Sequence, residues 1–195
     1  MPIHFAAEPI NGSSLVHRGL DQVATRTSPL SGLGIDFAAL QLFQPHAVYD
    51  LRADAVAKGG GLASATATGF RYLVHSGNAN IAAGEVHTDA TGAATLLANI
   101  NYGPYVEATA KAITQVSELP AVSAGSFEMR LLRFSAIALM ALWLKPDAGG
   151  ADILYPLDPA PAPLQAESAY SAADFFKAIL PLAQKRAEKK GPSVP

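Results

Sequence analysis

The sequence predicts an α+β domain: a mainly antiparallel sheet, made of a three-stranded meander plus a hairpin, with helices packed on it. Three observations predict it. FRYLVH (70–75), IAAGEVHT (81–88) and ATLLANIN (94–101) are strand-like runs separated only by turn-forming residues. FSAIALMALWL (134–144) is the longest apolar run, too short at 11 residues to cross a bilayer as a helix, which takes about 20. The strand-like runs follow one another instead of alternating with helices, which argues for hairpins over a parallel βαβ sheet.

Residues 1–34 mix Gly, Ser, Thr and Pro with scattered aliphatics and hold neither the helical nor the strand period, so they read as an irregular N-terminal arm. Asp36 is placed to cap FAALQLFQ, with Phe37, Leu40 and Phe43 on one stripe and Pro45 closing the helix. A short strand follows over 46–52, then one helical turn over 54–58 ended by Gly59, Gly60 and Gly61. That triple glycine lacks a following Lys-Ser/Thr, so it reads as a flexible turn and not a phosphate loop.

In the meander, a first turn centred near Asn78 sets Arg71 opposite Glu85, an opposite-charge cross-strand pair. Asp89-Ala90-Thr91-Gly92 suits a type I turn with glycine left-handed in a G1 bulge. Gly103-Pro104 opens a helix with Val106, Thr109, Ile113 and Val116 on its apolar stripe, Glu107 and Lys111 as an i,i+4 pair, and Pro120 as its stop. The apolar run lacks a polar stripe and precedes Pro146-Asp147-Ala148-Gly149-Gly150, strong turn chemistry. A hairpin with DILYPLD as its return strand is therefore expected, with a break near Ser135. PLDPAPAP (156–163) is a stiff connector, and Ser171 to Asp174 resembles a capping box for a helix carrying Phe175, Phe176, Ile179 and Leu182, kinked or split by Pro181. The expected division is an arm (1–34), an α+β core (35–164), and a C-terminal helix with basic tail (165–195) packed on the core.

Composition excludes several functions. Cysteine is absent, which removes disulfides, thiolate metal sites and a cysteine nucleophile. Residues 177–195 carry five cations against Glu188, while the remainder is acidic by six charges. An acidic body with a short basic tail is a poor nucleic-acid footprint. Met1 to Ile10 shows no basic-then-apolar leader, so neither a signal peptide nor membrane association is expected and a bacterial-type cytoplasmic location is the default.

Five histidines (His4, His17, His46, His75, His87) are the candidates for proton transfer near neutrality. Glu85 and His87 share a strand face, and with His75 they form the only constellation suggestive of an acid–base or metal site. The register that pairs Arg71 with Glu85 separates His75 from His87 by about 20 Å, at about 3.3 Å per residue, so they share no ion. No G-x-S-x-G elbow occurs, and Asp147, Asp152 and Asp158 provide too few ligands for a calcium loop. Tyr102, Tyr105, Trp143 and Tyr155 are candidate pocket-lining aromatics. No metal or cofactor is expected. The leading expectation is a non-catalytic domain that binds a partner protein or a small apolar ligand, as a homo-oligomer burying its arm or a sheet edge. The alternatives are a small hydrolase or isomerase with a His/carboxylate site, and a structural assembly subunit.

Overall fold

The structure, a computed structural model, describes residues 2–24 and 35–189. Within them the strands are β1 (Ile3–Phe5), β2 (Gln41–Asp50), β3 (Thr66–Ser76), β4 (Ala79–Thr88), β5 (Ala94–Asn101), β6 (Phe127–Phe134), β7 (Leu139–Pro146), β8 (Ile153–Pro156) and β9 (Tyr170–Ser171). The helices are α1 (Gly12–Ala24), α2 (Ala53–Ala57), α3 (Tyr105–Ser117), α4 (Pro120–Ser123) and α5 (Ala172–Lys189). All nine strands join one sheet in the order β5-β4-β3-β2-β6-β7-β8-β9, with β1 also against β6.

The class is α+β with a mostly antiparallel sheet, but the predicted plan of a meander plus a separate hairpin is too small. The meander and the hairpin are the two wings of one sheet. They meet where β2 and β6 run parallel, Ala47 to Asp50 beside Arg130 to Arg133, and β1 extends that parallel seam along residues 127–129 of β6.

Strand alternation sends successive side chains to opposite faces, and helices cover both. On one face Val48, Leu73, Ala83, Met129, Leu131, Leu142, Leu144 and Tyr155 pack under Val106, Ala112, Ile113 and Val116 of α3. On the other, α1 covers the β3–β5 wing, with Val16 and Leu20 against Tyr72, Val74, Ala82 and Val86. There too α5 and α2 cover the β6–β8 wing, with Phe175, Ile179 and Val56 against Leu132, Phe134, Ala141 and Trp143. The long apolar run is this middle layer. It leaves β6 at Phe134, makes a 3-10 turn over Ser135–Ile137, passes Ala138 at φ 53°, and returns as β7. The expected break near Ser135 and the hairpin with β8 are both present.

The meander register matches the expectation, Arg71 opposite Glu85 and Gly69 opposite His87. Its first turn is tighter than the predicted five residues, only Gly77 and Asn78, with Gly77 at φ 57°. Gly92 is left-handed at φ 80° and donates to the Asp89 carbonyl, as predicted for that loop.

Four expectations are corrected. Asp36 caps only a 3-10 turn (Phe37–Ala39), and the segment read as a helix up to Pro45 belongs to strand β2. Pro45 is tolerated there because it lies in a bulge: the pairing skips between Phe43/Leu73 and His46/Arg71, with Gln44 at φ 49°. The N-terminal segment read as irregular forms β1 and the 13-residue α1; residues 25–34 of it, and the tail from 190, lie outside the described residues. Lys111 pairs with Glu167 at 2.6 Å, and Glu107 accepts a bond from Asn80 at 3.2 Å, because both partners lie off the helix within closer reach than the i,i+4 neighbour. Finally, of the two outcomes expected at Pro181 the split does not occur, since α5 runs on through it. At its start the Asp174 amide donates to Ser171 Oγ at 3.1 Å, and that hydroxyl donates to the Asp174 carboxylate at 2.7 Å, so one bond of the expected capping box is made.

Candidate functional site

The most polar interior of the protein is a chain of charges laid across the sheet. Neighbouring strands β4, β3, β2 and β6 contribute Glu85, Arg71, Asp50 and Arg133, all on the face that α3 covers. The paired positions Arg71/Glu85, Asp50/Arg133 and Arg133/Met140 put these side chains in reach of one another. Arg71 Nη1 donates to Glu85 Oε1 at 3.1 Å, and Arg133 Nη1 donates to Glu85 Oε2 at 2.7 Å. Arg133 then forks onto Asp50 through Nε at 2.6 Å and Nη2 at 3.0 Å. The side chains of Arg71 and Glu85 are 1% and 4% exposed, those of Arg133 and Asp50 19% and 34%, so the chain runs from the interior to the rim.

Asn101 adds a 3.4 Å bond to Glu85, and Met140 Sδ lies 3.6 Å from Arg71 Nη1. The Asp50 carboxylate, despite the cost of burial, raises the pKa of Arg133. Burial lowers that of Arg71, with Glu85 opposing and Arg133 reinforcing the shift. His46, opposite Arg71, is fully buried and holds the Gln44 carbonyl 2.6 Å from Nδ1. Burial pulls its pKa down to about 4, against the Gln44 carbonyl and together with the Arg71 charge. His46 Nε2 and Arg71 Nε and Nη2 have no hydrogen-bond partner among the described residues.

At the rim of this chain lies a shallow depression, lined by Glu85, His87, Arg133, Thr68, Gly69 and Ala98 among others, open to solvent and with room for about one water. Glu85 and His87 therefore do share a surface, as predicted. Both oxygens of Glu85 are already held by guanidinium groups, and His87 is exposed with its Nδ1 3.1 Å from the Thr68 carbonyl. His75 lies at the other end of the hairpin, opposite Gln41 and stacked on Phe43 with ring centroids 4.3 Å apart. The structure does not bring it to Glu85 or His87.

The candidate aromatics are dispersed too. Tyr155, paired with Leu142, faces α3 and bonds Gln115 at 3.2 Å, whereas Trp143 is one residue on and so on the opposite face. There Trp143 and Tyr49 hold the Arg130 guanidinium at 4.7 and 4.8 Å from their ring centres, and Trp143 Nε1 donates to Asp152 at 2.6 Å. The Tyr105 hydroxyl ties the α3 start to the Ala138 and Pro159 carbonyls at 2.6 and 2.9 Å, and Tyr102 packs with the α1 cluster. They line no common pocket.

Two features escaped the sequence reading. Asp50 and Arg133 are 83 residues apart and meet only through the parallel seam, for which no local pattern exists. At the surface, Asp147 accepts from Ser126 at 2.5 Å and binds His4 Nε2 at 2.8 Å. This is a Ser, Asp and His set with the acid in the middle, so no imidazole is positioned to take the serine proton. The Ser126 bond, then His4, lowers the Asp147 pKa. Among the described residues no group of three or more His, Asp or Glu is arranged to hold a metal, and no helix is long and apolar enough to cross a membrane.

The fold and the charge chain define an α+β protein whose interior carboxylates Glu85 and Asp50 are held by guanidinium groups. Comparison with protein-family models, curated proteins and solved structures gave no significant match.

Proposed function

We propose that the protein is a non-catalytic binding module that engages another polypeptide along the open edge of its sheet at β5. The observation that carries this is the character of that edge. β5 has eight residues with no proline and no charge, and Thr95, Leu96, Ala98 and Asn99 are exposed. Ile10, whose carbonyl accepts from Ala94 at the strand's start, is 73% exposed, and Leu96 is 50% exposed. Two of the three exposed large apolar side chains among the described residues thus flank one strand edge. Proteins usually blunt such edges with lysine, proline or a covering element. Here two bulges against β4 add twist, and among the described residues only the Ile10 carbonyl, bonded to the Ala94 amide, caps the strand's start. The opposite edge, β9, is two residues long and continues directly into α5.

The charge chain fits a structural role beneath that edge. Each carboxylate has a guanidinium partner, and the set braces β4, β3, β2 and β6 from within. The adjoining depression, with room for one water, is far below the roughly 300–1,000 Å³ of a small-molecule pocket, which weighs against both an apolar ligand and a substrate there. Hydrogen exchange on the full chain at low micromolar concentration tests the reading. The β5 amides that bond neither β4 nor the Ile10 carbonyl should exchange quickly. Slow exchange at every β5 amide in a monomer would mean that the chain covers its own edge.

A further inference from the structure

We infer, resting on the reading of β5 as the binding edge, that its occupant is a second copy of this chain. β5 of each copy runs antiparallel to the other about a twofold axis normal to the sheet, so that the sheet continues through both molecules. Three observations favour self-pairing over another partner. β5 is uncharged, so two copies meet without like-charge repulsion, and nothing on the strand selects an oppositely charged peptide. The apolar pair Ile10 and Leu96 is presented by each copy and can be covered reciprocally, as an isologous interface requires.

The third observation is the course of α1. A Cβ added at Gly12 would meet the Tyr72 hydroxyl of β3; Gly84 of β4 lies against Val16; a Cβ at Gly19 would meet Leu97 of β5. The helix therefore crosses the wing from β3 over β4 to β5. A twofold axis through β5 keeps both α1 helices on the same side of the joined sheet, side by side.

The cysteine-free sequence makes the test clean. Single cysteines at Thr95, Leu96, Ala98 and Asn99, with Ala173→Cys on α5 as control, are oxidised in the full chain. In a symmetric antiparallel pair the residue at the axis faces itself with Cα atoms about 4.5–5.5 Å apart, within disulfide reach. Cross-linking should peak at one β5 position, decline to either side, and be absent at Ala173. Light scattering should give twice the 20.2 kDa chain mass. Leu96→Lys, at an exposed site, should weaken association at least tenfold with the far-UV spectrum unchanged.

A dimer that cross-links only outside β5 overturns the inference. So does a monomer at 100-fold the dilute concentration used for exchange. If that monomer keeps rapid β5 exchange, the second copy is wrong while the open edge stands; if its β5 amides are all slow, both fall.

Discussion

Glu85 is the residue on which most of the interior depends. It is the anion shared by Arg71 and Arg133, one almost fully buried and the other mostly so. Removing one partner of a buried pair leaves an uncompensated charge, at a cost of about 3–5 kcal/mol. Glu85→Ala should lower the urea midpoint accordingly, and Arg71→Met added to it should recover part of the loss, an interaction that a double-mutant cycle reads directly. His46 governs the acid side. Unfolded, it takes a proton near pH 6.5; folded, only near 4. The unfolded state therefore binds more protons across that window, so stability falls as pH drops from about 6.5 to 4, by about 3 kcal/mol for this group, with no further loss from it below 4. His46→Gln should flatten the slope of unfolding free energy between pH 6.5 and 5; an unchanged slope would show that another group sets it. Of this interior, only Arg71 and Glu85 were legible beforehand, because a short turn fixes a hairpin register from a dozen residues. His46 reads as one more histidine until its burial is known, and Arg133 as one more arginine beside an apolar run.

Among the elements, α1 shows why local pattern failed. Its buried stripe is Gly12, Val16, Gly19 and Leu20, with Val23 half-buried, a proper helical spacing, but two of the five are glycines and count as breakers when read alone. They are there because the helix presses close to the sheet. At Gly84 the same closeness is seen from below: a Cβ would come within 2.5 Å of Val16 Cγ1, a branched side chain with little room to turn. Gly84→Val should cost about 1–3 kcal/mol by overpacking, and Val16→Ala should recover part of it, both measured by denaturant titration. The β2 segment failed for the opposite reason: Pro45 looks like a helix stop, and only pairing with β3 shows it absorbed in a bulge. α3 was readable because a proline at its start agrees with its apolar stripe, and α5 because its capping serine does. In α5 the cap can be tested at Ser171, which also ends β9: Ser171→Ala keeps the backbone pairing with Ile153 and should cost about 1 kcal/mol.

For the molecule as a whole, the two wings share strands β2 and β6 and have no boundary at which one could melt without exposing the other. Trp143, the sole tryptophan, lies in the β6–β8 wing, while the meander makes up most of the other. Thermal curves from tryptophan fluorescence and from far-UV circular dichroism should therefore coincide in one transition. Separated midpoints would mean that the seam is weaker than the pairing across it suggests. That seam also sets an order of events during synthesis. The meander is complete some 30 residues before the ribosome has made β6, and until then β2 waits with a bare side, so the nascent chain carries two unpaired borders at once. Pairing over 83 residues is entropically slow. The vulnerable interval for this protein falls between the meander and the tryptophan strand, and conditions that slow translation there should lower its soluble yield more than equal slowing elsewhere.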